Sequence, residues 1–220
     1  TDLSAIGAKT SGTVTVSNAA VISGTTAQVT AALVTTDTLV AAGTSTVTIT
    51  DAATLAQANT INGYTTGQVT LNSISDTAAN IISIDALTTS EVTMAAANIT
   101  VTDQITKAQA DTINGYTTGQ VTLNSVSASV ADLATIEATT DSEIKFADNG
   151  AISVSDTATL ANANTINGYT TGQVTLTAVS DTVANITTID GLNTSEVSMA
   201  AAYVTITDST VIGTQLNIID

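Results

Sequence analysis

Apolar and hydroxyl side chains alternate along several short stretches of the chain, and an aspartate follows each of them. These stretches are residues 46–50, 99–102 and 204–207. A period of two with β-branched residues is typical of half-buried β-strands. Ala-rich stretches lie after such an aspartate, at residues 52–59, 104–110 and 157–164, and their Ala, Leu and Gln favour helix. The pattern therefore predicts a strand followed by a helix of about two turns.

Two local signals predict where these helices begin and end. The aspartate ahead of each Ala-rich stretch is a good N-cap residue. Asn-Gly pairs at Asn62, Asn114 and Asn167 follow the stretches. Because glycine accepts the left-handed conformation that often ends helices, these pairs predict the helix C-termini.

The strand and helix pattern belongs to a tandem repeat. The block TINGYTTGQVTL occurs unchanged at residues 60–71, 112–123 and 165–176, a period of 52 to 53 residues. Each repeat divides into two similar halves, with TTGQVTL at 65–71 echoed by TTSEVTM at 88–94. Such periods are typical of stacked repeat architectures. We therefore predict a repeat solenoid of stacked strand-plus-short-helix coils, with an all-β solenoid as the alternative.

Short and long coils alternate, with lengths of 23 and 29 or 30 residues. The surplus of the long coils lies at residues 95–98, 147–150 and 200–202, where we expect a local bulge or an extra segment. Each coil would add about one strand spacing of 4.7–4.9 Å, which predicts an elongated particle.

The chain divides into three parts by this pattern. Residues 1–45 match it poorly and are interpreted as an irregular N-terminal coil or cap, with a strand at 12–16 and a helix at 25–34. Residues 46–208 form the tandem-repeat solenoid. Residues 209–220 are a C-terminal edge segment that stays apolar almost to the last residue.

Composition narrows the classes of function. The 220 residues carry 19 acidic side chains and 3 basic ones, a net charge of −16. That charge argues against nucleic acid or an anionic membrane as a partner, because phosphates would be repelled. The chain lacks cysteine and histidine, so disulfides and imidazole chemistry are excluded. No apolar run approaches the roughly 20 residues that a membrane-spanning helix needs, so we expect no membrane insertion.

An aspartate column is the main candidate for chemistry. Asp51, Asp76, Asp103, Asp156, Asp181 and Asp208 occupy equivalent places, and Ala128 stands where one further member would be. Stacked carboxylates of this kind are a candidate Ca²⁺ site. We favour six helix caps, because each carboxylate would have amides of its own helix to bind. The calcium-binding nonapeptide is absent.

Two other columns are interpreted as structural. Gln68, Glu91, Gln120, Glu143, Gln173 and Glu196 alternate amide and carboxylate and predict a hydrogen-bonded ladder. Tyr64, Tyr116 and Tyr169 predict a packed spine rather than a sugar platform. No constellation in the sequence has the form of a catalytic site, so we expect no enzyme activity.

The repeats resemble a known kind of protein. The runs SDTAANI and SDTVANI, with VTITDAATLAQANTINGYTTGQVT at residues 47–70, are similar to the Thr- and Ala-rich tandem repeats of very large secreted or cell-surface proteins of bacteria, cyanobacteria among them. The resemblance covers residues 46–208 and implies an extracellular structural or adhesive role. It brings no catalytic residue with it.

The sequence thus leads to two functional expectations. The first is an extracellular structural repeat module of a surface layer, adhesin or fibre, which forms homo-oligomers or filaments through the solenoid ends. The alternative is a calcium-dependent binding module that engages glycan or a neighbouring cell. An enzyme that processes polysaccharide ranks third.

Overall fold

A computed structural model of the chain describes residues 3–18, 20–34, 40–87, 91–139, 143–192 and 196–213. Short helices alternate with strands through these residues. The helices are α1 Leu3–Gly7, α2 Thr26–Leu33, α3 Leu55–Asn62, α4 Ala78–Asp85, α5 Lys107–Asn114, α6 Val130–Ala138, α7 Leu160–Asn167 and α8 Val183–Asp190. The strands are β1 Val14–Thr15, β2 Val21–Gly24, β3 Val40–Ala41, β4 Thr46–Ala53, β5 Val69–Asp76, β6 Val92–Thr93, β7 Asn98–Ile105, β8 Val121–Ala128, β9 Ile144–Ala158, β10 Val174–Asp181, β11 Val197–Ser198 and β12 Tyr203–Ile206.

The predicted alternation of strand and short helix is confirmed for these residues. The Ala-rich stretches form helices of eight residues, such as α3 and α7, so the all-β alternative is wrong there. In the first 45 residues, β1 and α2 fall inside the stretches predicted as strand and helix. We call each strand with the helix that follows it a strand–helix unit.

The chain divides into two compact units, residues 1–101 with 112–121, and residues 102–111 with 122–220. In the first, β2, β4 and β5 are parallel neighbours, with Ile22 beside Val47 and Ile49 beside Leu71. On the edge opposite β4, strand β5 pairs with two successive strands instead of one. Its start pairs with β6 and its end with β7.

The second compact unit repeats this arrangement. Strand β9 pairs in parallel with β10, which pairs at its start with β11 and at its end with β12. Strand β10 buries alternate side chains, such as Val174 and Leu176. The core of both compact units is built from such β-branched and Leu residues and from one helix face, for example Ala58 and Ile61 of α3.

The surplus residues of the long coils separate the split strands. A tight turn in which the amide of Ala97 donates to the carbonyl of Met94 at 2.9 Å divides β6 from β7. The equivalent bond from Ala202 to Met199, also 2.9 Å, divides β11 from β12. Residues 147–150 instead lie inside the single 15-residue strand β9.

The predicted N-caps of the helices were wrong by one or three residues. The N-cap of α3 is Thr54, not Asp51, and the N-cap of α4 is Thr77, not Asp76. Asp51 lies inside β4, because Ala53 continues the strand and is fully buried. Threonine takes the cap position because its hydroxyl accepts the amide three residues later.

Several of these caps are capping boxes. In α3 the Gln57 side chain accepts the amide of Thr54 at 2.9 Å, while the Thr54 hydroxyl accepts the amide of Gln57. Thr25 with Gln28, and Thr159 with Asn162, form the same reciprocal pair at α2 and α7. The box satisfies two of the amides that a helix N-terminus leaves unpaired.

The predicted left-handed glycine at the helix C-termini was also wrong. Gly63 follows α3 with φ −64° and ψ −12°, and Gly168 follows α7 with φ −72° and ψ −14°. No described glycine has a positive φ. The helices end instead in a tightened last turn, in which the amide of Tyr64 donates to the carbonyl of Ile61 at 3.0 Å.

Candidate functional site: contacts between successive strand–helix units

The Thr-Thr-Gly sequence inside the invariant block forms a corner that joins each unit to the preceding one. The Thr65 hydroxyl donates to the carbonyl of Ser45 at 2.5 Å and accepts the amide of Gly67 at 3.0 Å. Thr117 and Thr170 donate in the same way to the carbonyls of Ala97 and Gly150, both at 2.6 Å. These first threonines are buried, so their hydroxyls replace water as partners of buried backbone groups.

The second threonine of the corner makes a paired contact. Both the amide and the hydroxyl of Thr66 donate to the carbonyl of Gly43, at 2.8 and 2.7 Å. Thr171 does the same to the carbonyl of Asp148, at 2.7 and 2.6 Å. Two neighbouring threonines therefore fix two carbonyls of the preceding unit, which explains why both are kept in every copy of the block.

The glycine of the corner is required by close backbone approach. A Cβ on Gly67 would overlap the carbonyl oxygen of Ser45, and one on Gly119 would overlap that of Ala97. Gly172 meets the carbonyls of Asn149 and Gly150 in the same way. Since the obstructing atoms are backbone, they cannot rotate aside. Any side chain at these positions would therefore push the two strand–helix units apart.

The aspartate column binds helix N-termini, chiefly those of the helices that precede each aspartate in the sequence. Five of the carboxylates accept the amide of the first residue of the helix in the preceding strand–helix unit. The pairs are Asp51 with Thr26 at 2.7 Å, Asp76 with Leu55 at 2.9 Å, Asp156 with Val130 at 2.8 Å, Asp181 with Leu160 at 3.0 Å and Asp208 with Val183 at 2.6 Å. Asp103 occupies the equivalent place in β7. We call these residues the cross-unit aspartates.

Two cross-unit aspartates also bind the start of their own helix. Asp76 accepts the amide of Thr77 at 2.8 Å and the side-chain amide of Asn80 at 2.7 Å. Asp181 has the same two partners in Thr182 and Asn185. These carboxylates hold two helix N-termini together, where the helix dipole favours negative charge.

The hydrogen bonds shift the acidity of these two groups. Burial of Asp76 raises its pKa, but the bonds from Leu55, Asn80 and Thr77 together outweigh burial and leave the pKa below the ordinary value of 3.8. The bonds from Leu160 and Asn185 lower the pKa of Asp181. Both side chains are therefore carboxylates in neutral solution, as a capping acceptor must be.

The gap in the column is accompanied by a second difference. Ala128 ends β8 where Asp76 ends β5, and the third helical residue of α6 is Asp132 where α4 has Asn80. Asp132 accepts the Ser129 hydroxyl at 2.9 Å, and its amide donates to that hydroxyl at 3.1 Å. Because two carboxylates at these positions would repel each other, the loss of one fits the presence of the other.

The described residues contain no group of three or more acidic or other ligand side chains placed to hold a metal ion. Five of the six aspartates that the sequence suggested as a calcium site accept helix amides. In the same part of the chain, none of the helices is long and apolar enough to cross a membrane.

The other two columns lie at the edges of the units. Main-chain carbonyls of the Gln and Glu column accept strand amides, as Gln68 does from Val47 at 2.9 Å and Glu196 from Val174 at 2.6 Å. The ring of Tyr169 stacks on Phe146 with centroids 6.0 Å apart and an interplanar angle of 4°. That contact packs Tyr169 against β9, whereas the equivalent Tyr64 is 44% exposed.

Sequence reasoning missed the Thr-Thr-Gly corner and the bonds from the aspartates to the preceding helix, although the expected bonds to the aspartate's own helix are present at Asp76 and Asp181. The signal for the corner was present, because the block containing it is unchanged in all three copies. The partners of the aspartates lie 21 to 26 residues away, so no local pattern identifies them.

Comparisons with protein-family models, with curated proteins and with solved structures give no match. The fold and the contacts between units therefore carry the functional argument alone.

Proposed function

We propose that the chain is an extracellular structural repeat module of a surface layer, adhesin or fibre. In this proposal the strand–helix units stack as a solenoid, and copies associate through the solenoid ends into homo-oligomers or filaments. The module would lie outside the cell or on its surface, would act without a cofactor, and would carry out no catalysis.

One observation carries the proposal: the threonines of the Thr-Thr-Gly corner and the cross-unit aspartates are polar side chains that recur along the chain and bind the preceding strand–helix unit. The Thr65 hydroxyl and its equivalents bind backbone carbonyls, and the cross-unit aspartates bind helix amides. A residue set repeated in this way adds cohesion along the chain, whereas a catalytic group is needed only once in a cleft. Cohesion between successive units is what a structural or coating protein requires.

The net charge of −16 also supports the proposal, because it favours solubility outside the cell and repels nucleic acid.

The alternative is a calcium-dependent binding module for glycan or a neighbouring cell. It requires carboxylates that leave their helix amides when the ion binds. A calcium titration therefore separates the two functions.

Localisation and assembly test the proposal. Antibodies raised against the chain should label intact cells of the source without permeabilisation. Purified chain should form larger particles as its concentration rises, observed by light scattering and electron microscopy. Label that appears only after permeabilisation, or a monomer at every concentration, would contradict the proposal.

A further inference from the structure

A groove runs beside the first strand of the sheet in the N-terminal compact unit. Within the described residues, β2 is hydrogen-bonded to β4 and to no other strand. The groove has a volume of about 640 Å³. It is lined by apolar residues, among them Leu3, Val16, Val21, Ile22 and Val29, and by the polar side chains of Ser23 and Gln28.

The groove follows the open edge of β2 rather than one face of the sheet. Val21 and Ile22 are successive residues of the strand, so their side chains point to opposite faces, yet both line the groove. Val21 is 74% exposed, while Ile22 is 6% exposed. An unpaired strand edge with apolar residues on both sides is a template for an added strand.

We propose that this groove binds the C-terminal segment, residues 209–220, of a second copy of the chain as an added β-strand. The inference rests on the proposed association of copies through their ends and names the surfaces that would meet. It specifies the N-terminal compact unit of one copy as the receptor and the C-terminal segment of the other as the ligand.

Charge and hydrophobicity select this occupant. The residues that line the groove are uncharged, and in a chain with 19 acidic residues an occupant must avoid burying a carboxylate. Segment 209–220 reads STVIGTQLNIID and carries no charged side chain before Asp220. It contains five large apolar residues and no proline, so it can supply both side chains for the groove and amides for β2.

The segment also leaves an apolar residue in water. Ile212, which belongs to it, is 59% exposed. Burial of such residues against the groove supplies the main driving force for association.

Cysteine pairing tests the contact directly, because the chain contains no cysteine. Copies with Val21→Cys, mixed with copies carrying Ile218→Cys under mild oxidation, should give a disulfide-linked heterodimer. Ile82, which is 38% exposed on α4, provides the matched control. Ile82→Cys should link to Ile218→Cys at least about tenfold more slowly, and equal rates for the two pairs would overturn the proposal.

Charge substitution separates this contact from end-to-end association in general. Val21→Asp should weaken association of the full chain by about tenfold or more in sedimentation experiments, because the added segment would have to bury a carboxylate in a groove lined by uncharged residues. Ile218→Asp should do the same from the other side, and Ile82→Asp should leave association unchanged. Circular dichroism checks that each variant is folded.

The outcomes are distinguishable. If the parent chain associates and Val21→Asp and Ile218→Asp associate equally well, the groove proposal fails while the proposed assembly stands. If the parent chain is a monomer at every concentration, both fail.

Discussion

At the scale of single residues, Ser45 differs from its equivalents in the other repeats. Its side-chain oxygen is buried and has no hydrogen-bond partner among the described residues, while its carbonyl accepts the Thr65 hydroxyl. The same place is held by Ala97 and Gly150 in the later repeats. The corner uses only the backbone at this position, so the hydroxyl contributes nothing to it.

Ser45→Ala should therefore stabilise the protein. Removing a buried hydroxyl without a partner relieves a desolvation cost of about 1–3 kcal/mol. The reverse change in the next repeat, Ala97→Ser, is the matched control and should destabilise by a similar amount. Urea denaturation measures both, and a loss of stability in Ser45→Ala would show that its hydroxyl has a partner in solution.

Acidification should act on Asp76 in a defined direction. Its pKa in the folded chain is below the ordinary value of 3.8, so the carboxylate stabilises the fold at neutral pH. That contribution is fully present above the unfolded-state pKa and is lost as pH falls through the lower folded-state pKa. The stability difference between the parent and Asp76→Asn should therefore shrink between neutral pH and about pH 2.

Asp85 provides a control of opposite sign. Burial raises its pKa, and it is the last residue of α4, where the helix dipole disfavours a negative charge. Asp85→Asn should therefore stabilise the protein at neutral pH, with a gain that fades as the pH falls and the carboxyl is protonated. Both variants remove one negative charge from the parent, so an identical pH trend in both would contradict the assigned pKa directions.

At the scale of elements, the glycine of the Thr-Thr-Gly corner sets how closely two units approach. Gly67→Ala should destabilise by about 1–3 kcal/mol or more, because its Cβ would overlap the carbonyl oxygen of Ser45. Gly43→Ala is the matched control, since nothing lies within 4 Å of a Cβ there. Thermal melting of the two variants compares them directly, and equal melting temperatures would mean that the units can separate without cost.

The gap in the aspartate column can be filled. Ala128→Asp alone places a carboxylate near Asp132, so we expect little gain or a loss. Ala128→Asp with Asp132→Asn restores the pair seen in Asp76 with Asn80 and should stabilise by about 0.5–2 kcal/mol, the usual range for a helix cap. A double-mutant cycle of denaturation free energies measures the coupling, and purely additive effects would contradict the repulsion between the two carboxylates.

At the scale of the whole molecule, charge determines the response to ions. With a net charge of −16, self-repulsion opposes folding, and any cation should relieve it by screening. If the cross-unit aspartates remain bound to helix amides, Ca²⁺ and Mg²⁺ at equal concentration should raise the melting temperature equally. A rise specific to Ca²⁺ that disappears in Asp103→Ala would favour the calcium-dependent binding module instead.

The sequence by itself determined the alternation of strand and short helix, because that alternation is written in local periodicity. The change from a period of two at residues 46–50 to an Ala-rich stretch predicts β4 and α3, and Thr25 with the residues after it predicts α2. The repeat also pointed to the block that contains the Thr-Thr-Gly corner. In these cases the determining interactions lie within a few residues of each other.

Only the tertiary structure decided which partners the repeated polar residues take. Asp76 binds the amide of Leu55, 21 residues earlier, and Thr65 binds a carbonyl 20 residues earlier. The stacking of one strand–helix unit on another brings these atoms together. The sequence around each aspartate predicts a bond to the nearer helix equally well, so it does not identify the partner in the preceding unit. The same reason explains Gly67: its value lies in the absence of a Cβ next to another unit's backbone, not in a left-handed φ.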